Sequence, residues 1–436
     1  MRINWFSPVP PARTAIADVT ARLIPVLSRK LEVTVWTDCA EGVPDLPCGI
    51  PVRSCRDVEA VWPEINFADF SIYHIGNDVR FHGHYAGMLE RHPGIVVLHD
   101  FNLHELHRER FIHRPQGSAL FKRYVLQMEG PDALAAVRAF ERGECSFEES
   151  VEQVPLIRSV TRYAVGIISF NKAMREPLLN LTGAPLLFCP LPLGPEATLP
   201  PPAESFPRPG AGPLELVMFG YLNSPNRRLA EILEALVPFP EGSVRLSLFG
   251  HIEDESAFHE QVRSLGLGRN VHYLGYLSEA EMEATLKRSH LAVNLRNPTR
   301  GESSDALLKA WKASLPVLVT QTGYYATLPE GTTCPVAPGN EVDGVRSHLA
   351  GFLEKPQEYA AIGARAYRYL REHHTAERFA DNLTWFLNEA APYRKRSFVF
   401  DFSRRMGNCL EAGFTSPEAA KHLRGRMARE LTDWIA

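Results

Sequence analysis

The chain has 436 residues, 45% of them hydrophobic and 22% charged, enough for two ordinary domains with full apolar cores; a miniprotein held by disulfides or metals is excluded. Its 47 Lys and Arg stand against 51 Asp and Glu, a net charge of −4. That balance speaks against a nucleic-acid coat, so no nucleic-acid partner is expected. The seven cysteines, at 39, 48, 55, 145, 189, 334 and 409, are scattered without a Cys-x-x-Cys pair, so reduced thiols are expected and a zinc ribbon is not. No apolar run approaches the eighteen or so residues that cross a bilayer, and the start MRINWFSPVP lacks the apolar stretch of a secretion signal; a cytoplasmic location is expected.

In chain order, short β-branched runs recur at Arg2–Phe6, Leu31–Trp36, Ser71–Ile75, Gly94–His99 and Tyr163–Ser169, with helical spacing between some of them, as at Ile16–Ser28. Near-continuous apolar strands alternating with helices predict a parallel sheet covered on both faces. The alternation restarts with strands at Leu214–Gly220, Val244–Gly250, Val271–Gly275, Leu291–Arg296 and Pro316–Thr320, and helices at Arg228–Leu236 and Glu279–Arg288. Between Pro190 and Pro213 the text is proline-rich. Proline stops helices and central strands, so a linker is placed at 196–213, between an N-terminal domain at 1–195 and a second at 214–385. Residues 386–436 read as a helical tail packing on the N-terminal domain, with a new helix start at Ser416-Pro417-Glu418. Residues 394–436 hold nine Lys or Arg against five Asp or Glu; that excess allows peripheral contact with anionic lipid, although a solvated helix explains it more simply.

The expected architecture is α/β, two doubly wound parallel-sheet domains, and such sheets bind ligands beyond their carboxyl edges. Neither the dinucleotide fingerprint G-x-G-x-x-G nor the Walker pattern follows the first strand or the strand ending at Gly220, which removes the main support for a dehydrogenase or a P-loop kinase. In Gly220-Tyr221-Leu222-Asn223-Ser224-Pro225-Asn226-Arg227-Arg228, a strand end leads through a turn to two arginines. Their planar forks suit a diphosphate, and solvated surface arginines are an equally good account. Further on, Ser303 or Ser304 is a helix cap, and helix-start amides favour an anion there. Beside them, Glu302 is either a carboxylate facing sugar hydroxyls or one that stabilises the helix dipole. Asn77, in Ile75-Gly76-Asn77-Asp78, is either a turn residue or a hydrogen-bond partner for a sugar. Of the histidines at 82, 84, 92, 99, 104, 107 and 113, only His99 is singled out; a metal site is not expected, because no cysteine lies nearby and lining histidines account for the cluster.

The runs LRNPTRGESSDALLKAWKASLPVLVTQTGYYATLPEG, FGYLNSPNRRLAEILEAL and NVHYLGYLSEAEMEATL resemble the donor domain of retaining GT-B glycosyltransferases, the large family of sucrose synthases and bacterial mannosyltransferases. MRINWFSPVPPARTAIADVTARLIPVL and HPGIVVLHDFNLHEL are similar to bacterial members that build surface polysaccharides. The resemblance implies a GT-B fold whose two domains face a cleft, and transfer of a sugar from a nucleotide diphosphate to an acceptor hydroxyl with retention at the anomeric carbon. It implies Arg227 on the donor diphosphate, with Arg228 in support, and Tyr276 and Leu277 beside the nucleobase. Gly220, Gly250, Glu302, Ser303, Ser304, Asp305 and Leu308 would line the sugar and phosphate site. In the N-terminal domain, His99 would lie over the donor sugar, with Arg13 and Thr14 near the phosphates and acceptor. The family's second glutamate falls at Lys309, and its usual arginine after the strand-end glycine is Tyr221.

No cofactor or metal is expected beyond the donor itself, UDP- or GDP-linked. The acceptor would be a saccharide, a lipid-linked molecule or another hydroxyl compound, with the protein in the cytoplasm or at the inner membrane face. No oligomeric state follows from the sequence. The competing readings are a noncatalytic nucleotide-sugar binding module, favoured by Lys309 and Tyr221, and an epimerase acting on the donor.

Overall fold

Each of the ten apolar runs becomes a strand in one of two all-parallel sheets. The structure, a computed structural model, describes residues 1–38, 46, 49–195, 212–222 and 224–413, with backbone alone at 58, 225 and 395–413. The chain divides into two units, one built from 1–170, 174–189 and the chain from 380 onward, the other from 171–173 and 190–379. The expected linker lies outside the described residues apart from 212–213, as does the helix start at Ser416.

In the first unit, the sheet comprises β1 (Arg2–Phe6), β2 (Glu32–Thr37), β3 (Val52–Ser54), β4 (Phe70–Ile75), β5 (Gly94–Leu98), β6 (Ala164–Ser169) and β7 (Leu186–Phe188), in the order β3-β2-β1-β4-β5-β6-β7. Strands β4, β5 and β6 are buried at every residue, which is why they read as near-continuous apolar runs and not as alternating ones. Burying side chains such as Ile3, Leu23 and Ile72 stabilises the unit by roughly 1.5–3 kcal/mol each. Five helices, from His104–Ile112 to Arg158–Thr161, are inserted between β5 and β6. They carry a satellite core around Phe121, Val125, Val137 and Leu156, a layer that the strand pattern did not anticipate.

The helix Ala376–Gly413 begins in the second unit and joins the first at Ala380. Its Asp381 pairs with Lys30, and Phe386 lies so close to Gly166 that a Cβ there would meet its ring at 2.9 Å.

The second sheet comprises β8 (Leu214–Tyr221), β9 (Val244–His251), β10 (Val271–Tyr273), β11 (Leu291–Val293), β12 (Val317–Thr320) and β13 (Cys334–Val336), in the order β10-β9-β8-β11-β12-β13. Strand β11 stops at Val293, three residues before the expected Arg296: past it, Asn294 turns its side chain to Arg227 and Ser304, and the Arg296 N–H goes to the Thr320 hydroxyl in place of a strand carbonyl. The helix expected from Arg228 starts at Leu229: Pro225–Arg227 form one tight turn, and Arg228 is left-handed at φ 55°. Among the described residues, no helix is long and apolar enough to cross a membrane.

Candidate functional site

In a doubly wound sheet, the crevice opens where successive crossovers leave in opposite directions. In the second unit that point falls between the neighbours β8 and β11, so the loop after β8 and the loop after β11 meet there. Asn297 N–H donates to the Asn226 carbonyl at 2.8 Å and ties the two loops together.

Arg227 occupies this junction and is 3% exposed. Its Nη1 donates to Asn294 Oδ1 at 2.9 Å and its Nη2 to the Phe219 carbonyl at 2.8 Å, while Nε has no partner. Asn294 Nδ2 donates to Ser304 Oγ at 2.8 Å, and that oxygen also accepts the Leu307 N–H as the cap of the Asp305–Lys312 helix. A continuous chain of hydrogen bonds therefore runs from the β8 loop, through the end of β11, to a helix start. No carboxylate lies within ion-pair distance of Arg227 among the described residues. Burial, and then the nearby Arg296 guanidinium, pull its pKa down to about 9, so it remains charged at neutral pH at a considerable cost. A buried cation beside a helix N-terminus is an arrangement suited to an anion.

Glu302 neutralises the neighbouring cation. It accepts from Arg296 Nη1 at 2.9 Å, from the Arg300 N–H at 2.7 Å and from Thr299 Oγ1 at 3.2 Å. Burial pushes its carboxyl up, but Arg296 and these amides outweigh burial and hold it below the usual carboxylate range. Arg296 in turn donates its backbone N–H to Thr320 Oγ1, on the next strand.

The remaining sequence candidates of this unit take varied positions. The guanidinium of Arg228 lies 2.8 Å from Glu231 and 3.7 Å from the buried Glu341, so its charge is balanced within the protein. Gly220 and Gly250 face each other across β8 and β9 at φ 103° and 120°. A Cβ on Gly250 would fall 2.2 Å from the Gly220 carbonyl. Ser303 is half-buried, and Leu308 is fully buried on the core face of its helix. Asp305 pairs with Lys309 at 2.8 Å, which gives the residue at the family's second glutamate position a partner of its own. Tyr276, 65% exposed, and the half-buried Leu277 lie in the loop after β10.

In the first unit, Arg13 is exposed and Thr14 occupies the cap position of the Ala15–Leu27 helix without a side-chain cap bond. Both follow β1, which neighbours β4 at the switch point of that sheet. Asn77 is fully engaged: its N–H donates to Asp100 Oδ2, its Nδ2 to Glu105 Oε2, and its Oδ1 accepts from the Leu106 N–H. It braces the loop after β4 against the one after β5, beside His99.

His99 Nε2 lies 2.9 Å from His74 Nδ1, and His82 Nδ1 lies 2.9 Å from the His74 carbonyl. Burial lowers His99 to about 3, with His82 adding to the effect, and lowers His82 to about 4. His74 falls well below the ordinary value for the same reason, with His99 and His82 contributing. All three rings are therefore neutral at pH 7, with one N–H each. Facing a carbonyl, His82 Nδ1 must carry its proton. His74 Nε2 is buried without a partner, and an orphaned N–H is rarer than an orphaned acceptor, so the His74 proton belongs on Nδ1 and is donated to His99 Nε2. His99 then bears its own proton on Nδ1 and acts as a donor.

Sequence reasoning thus selected Arg227, Glu302 and Ser304, which the fold brings into one cluster, and missed Asn294 and Arg296, which complete it. A polar Asn ending an apolar run was the available signal. It also missed His74 as the partner of His99.

Comparison with known proteins agrees with this architecture. A family model described as glycosyl transferase-like matches residues 227–384. HepE of Anabaena, solved in complex with UDP, is 12% identical over 89% of this chain and 99% of its own, with a TM-score of 0.55. Sucrose-phosphate synthase from Thermosynechococcus elongatus is also 12% identical over 89% of this chain and 98% of its own, at 0.56. WaaG, a glycosyltransferase involved in lipopolysaccharide biosynthesis, is 13% identical over 87% and 99%, at 0.55. The fold is GT-B. No curated protein sequence matches this chain.

Proposed function

We propose that this chain is a retaining, metal-independent glycosyltransferase that moves a sugar from a UDP- or GDP-linked donor to an acceptor hydroxyl, in the synthesis of surface polysaccharide or another glycoconjugate. The observation that carries this reading is Arg227: a buried guanidinium without a carboxylate partner among the described residues, at the switch point of the second sheet, hydrogen-bonded through Asn294 to a helix cap. The match of residues 227–384 to a glycosyl transferase-like family, and a neighbour of the same fold holding UDP, support it.

In this reading, the diphosphate gains negative charge as the glycosidic bond breaks. Arg227 and the helix start near Ser304 stabilise that charge without reorganising, which is electrostatic preorganisation and not covalent catalysis. Arg296 is neutralised by Glu302, so the charge offered to the diphosphate is that of Arg227. His99, as an Nδ1–H donor, orients the sugar. A donor phosphate oxygen takes the acceptor proton on the same face, so the anomeric configuration is retained. The protein acts in the cytoplasm, with its acceptor delivered there or at the inner face of the membrane.

Thermal-shift screening against UDP, GDP and ADP, followed by product analysis with the sugar of the nucleotide that stabilises, tests the proposal. Release of nucleotide only when an acceptor hydroxyl is present supports transfer. Nucleotide binding without turnover would instead identify a binding module, and an altered donor sugar without any acceptor would identify an epimerase.

A further inference from the structure

A cavity of about 440 Å³ opens in the first unit, lined by Gly83, His84, Gly87, Arg91, Arg110 and Arg114, with Val79 and Met88 as apolar wall. It lies between the helices Val79–Arg91 and His104–Ile112. Its lining contains three guanidinium groups and no carboxylate. Glu90, the nearest acidic neighbour, takes only one corner of Arg110, with Nη1 to Oε1 at 3.2 Å. The other corner, Nη2, would lie 3.3 Å from a Cβ placed on Gly87, so it faces the glycine-floored side of the cavity. Arg110 is held in place by His107 as well, at 3.2 Å from the same Nη1. Arg114 lies with its guanidinium 5.6 Å from the Phe111 ring centre and forms no ion pair among the described residues. Arg91 is 3.5 Å from Glu59, a pair in which both side chains are well exposed and which therefore contributes little and is readily exchanged.

Arginine forks lining one cavity are matched to phosphate oxygens, which accept several charge-assisted hydrogen bonds at once. The two glycines leave the floor open, and the volume exceeds that of a lone phosphate, while Val79 and Met88 give an attached carbon chain a surface to lie on. We propose that this cavity is a binding site for a phosphate monoester, in the form of either a soluble glycerol phosphate or the headgroup of an anionic lipid. The site uses none of the residues assigned to the sugar donor, and it stands or falls independently of the second unit.

The test is binding of two probes to the full chain: sn-glycerol 3-phosphate by calorimetry, and vesicles of phosphatidic acid in phosphatidylcholine by co-sedimentation, against phosphatidylcholine alone. Two variants accompany the parent protein, Arg91→Gln/Arg114→Gln, which removes two exposed charges, and Gly87→Leu, which fills the floor while keeping every charge and suits a helix. At least one probe is expected to bind the parent and to lose about tenfold or more in both variants, the equivalent of one charge-assisted contact at about 1.4 kcal/mol. Binding of the soluble ester identifies a free phosphate ligand, and binding of vesicles alone identifies the lipid headgroup. Failure of both probes overturns the site. So does a Gly87→Leu protein, folded by circular dichroism, that binds like the parent, since the attraction would then be diffuse surface charge.

Discussion

Arg227→Met separates the cost of a buried charge from its use. Holding Arg227 charged against a pKa drawn down to about 9 costs the ligand-free fold on the order of 5 kcal/mol, at about 1.4 kcal/mol per factor of ten. Methionine removes that cost but strands Asn294 Oδ1 and the Phe219 carbonyl, at about 1–3 kcal/mol each. The two effects nearly cancel, so the ligand-free variant should unfold in urea within about 2 kcal/mol of the parent. Nucleotide binding should not survive so well: losing a buried, charge-assisted grip on the diphosphate corresponds to a Kd for UDP raised roughly 100-fold or more, about 2.7 kcal/mol. The stabilisation that UDP gives the parent in a thermal melt should vanish with it. The same residue sets a pH dependence. Because its pKa in the fold lies below that of the unfolded chain, the penalty persists at every pH below about 9 and is relieved above it, while a diphosphate needs the charged form. Parental affinity for UDP should therefore fall about tenfold per pH unit above pH 9, and that slope should be absent from Arg227→Met, which has no proton to lose. A variant binding UDP within threefold of the parent would refute the assignment, and so would one that loses UDP only because its ligand-free state has unfolded.

Glu302→Gln leaves Arg296 and Arg227 without their nearest negative charge and should destabilise the second unit by about 3–5 kcal/mol; equal urea midpoints would show that Glu302 is dispensable to the fold. Gly250→Ala places a Cβ 2.2 Å from the Gly220 carbonyl at φ 120°, and the melting temperature of the second unit should drop by several degrees, whereas Gly268→Ala, with open space around it, serves as the unaffected control. His82 and His99 are neutral in the fold, with pKa drawn down to about 4 and about 3. The unfolded chain binds their protons first as pH falls from 6.5, so stability is complete above that value and is lost on acidification; His82 alone contributes on the order of 3 kcal/mol by pH 4. Urea titrations of His82→Asn between pH 7 and 4 should show a correspondingly shallower acid loss, and an unchanged slope would refute the neutral assignment.

The strands that were legible in the sequence are those buried on both faces. Trp5, Ile72 and Ile95 sit in mostly apolar runs because both faces of β1, β4 and β5 are covered, and the few polar residues there, such as Asn4 and His74, are buried with hydrogen-bond partners. The three-residue strands β3, β7 and β13 are too short to set any period apart from a loop. The helices between β5 and β6 carry a satellite core that no strand period announces. At the site, Arg227 and Ser304 stood out by residue type next to a turn and a helix start. Asn294 and Arg296 did not, because their value depends on β11 lying beside β8, a neighbour relation set by crossovers and not by adjacency in sequence.

That dependence explains why one position is harder to read than another. A residue such as Gly250 declares itself locally, since the φ it adopts is one that side chains avoid. Arg227 declares only a charge. What makes it a binding group is that Glu231 and Glu341 are spent on Arg228 and Glu302 on Arg296, leaving the buried cation at the switch point as the one of the three without a carboxylate in contact among the described residues. Two adjacent arginines thus part company: the first is left for a ligand because the fold supplies carboxylates to the second. Removing both acids, by Glu231→Gln together with Glu341→Gln, would leave the half-buried Arg228 uncompensated as well, which places the selectivity for one guanidinium in the surrounding acids and not in the arginines themselves.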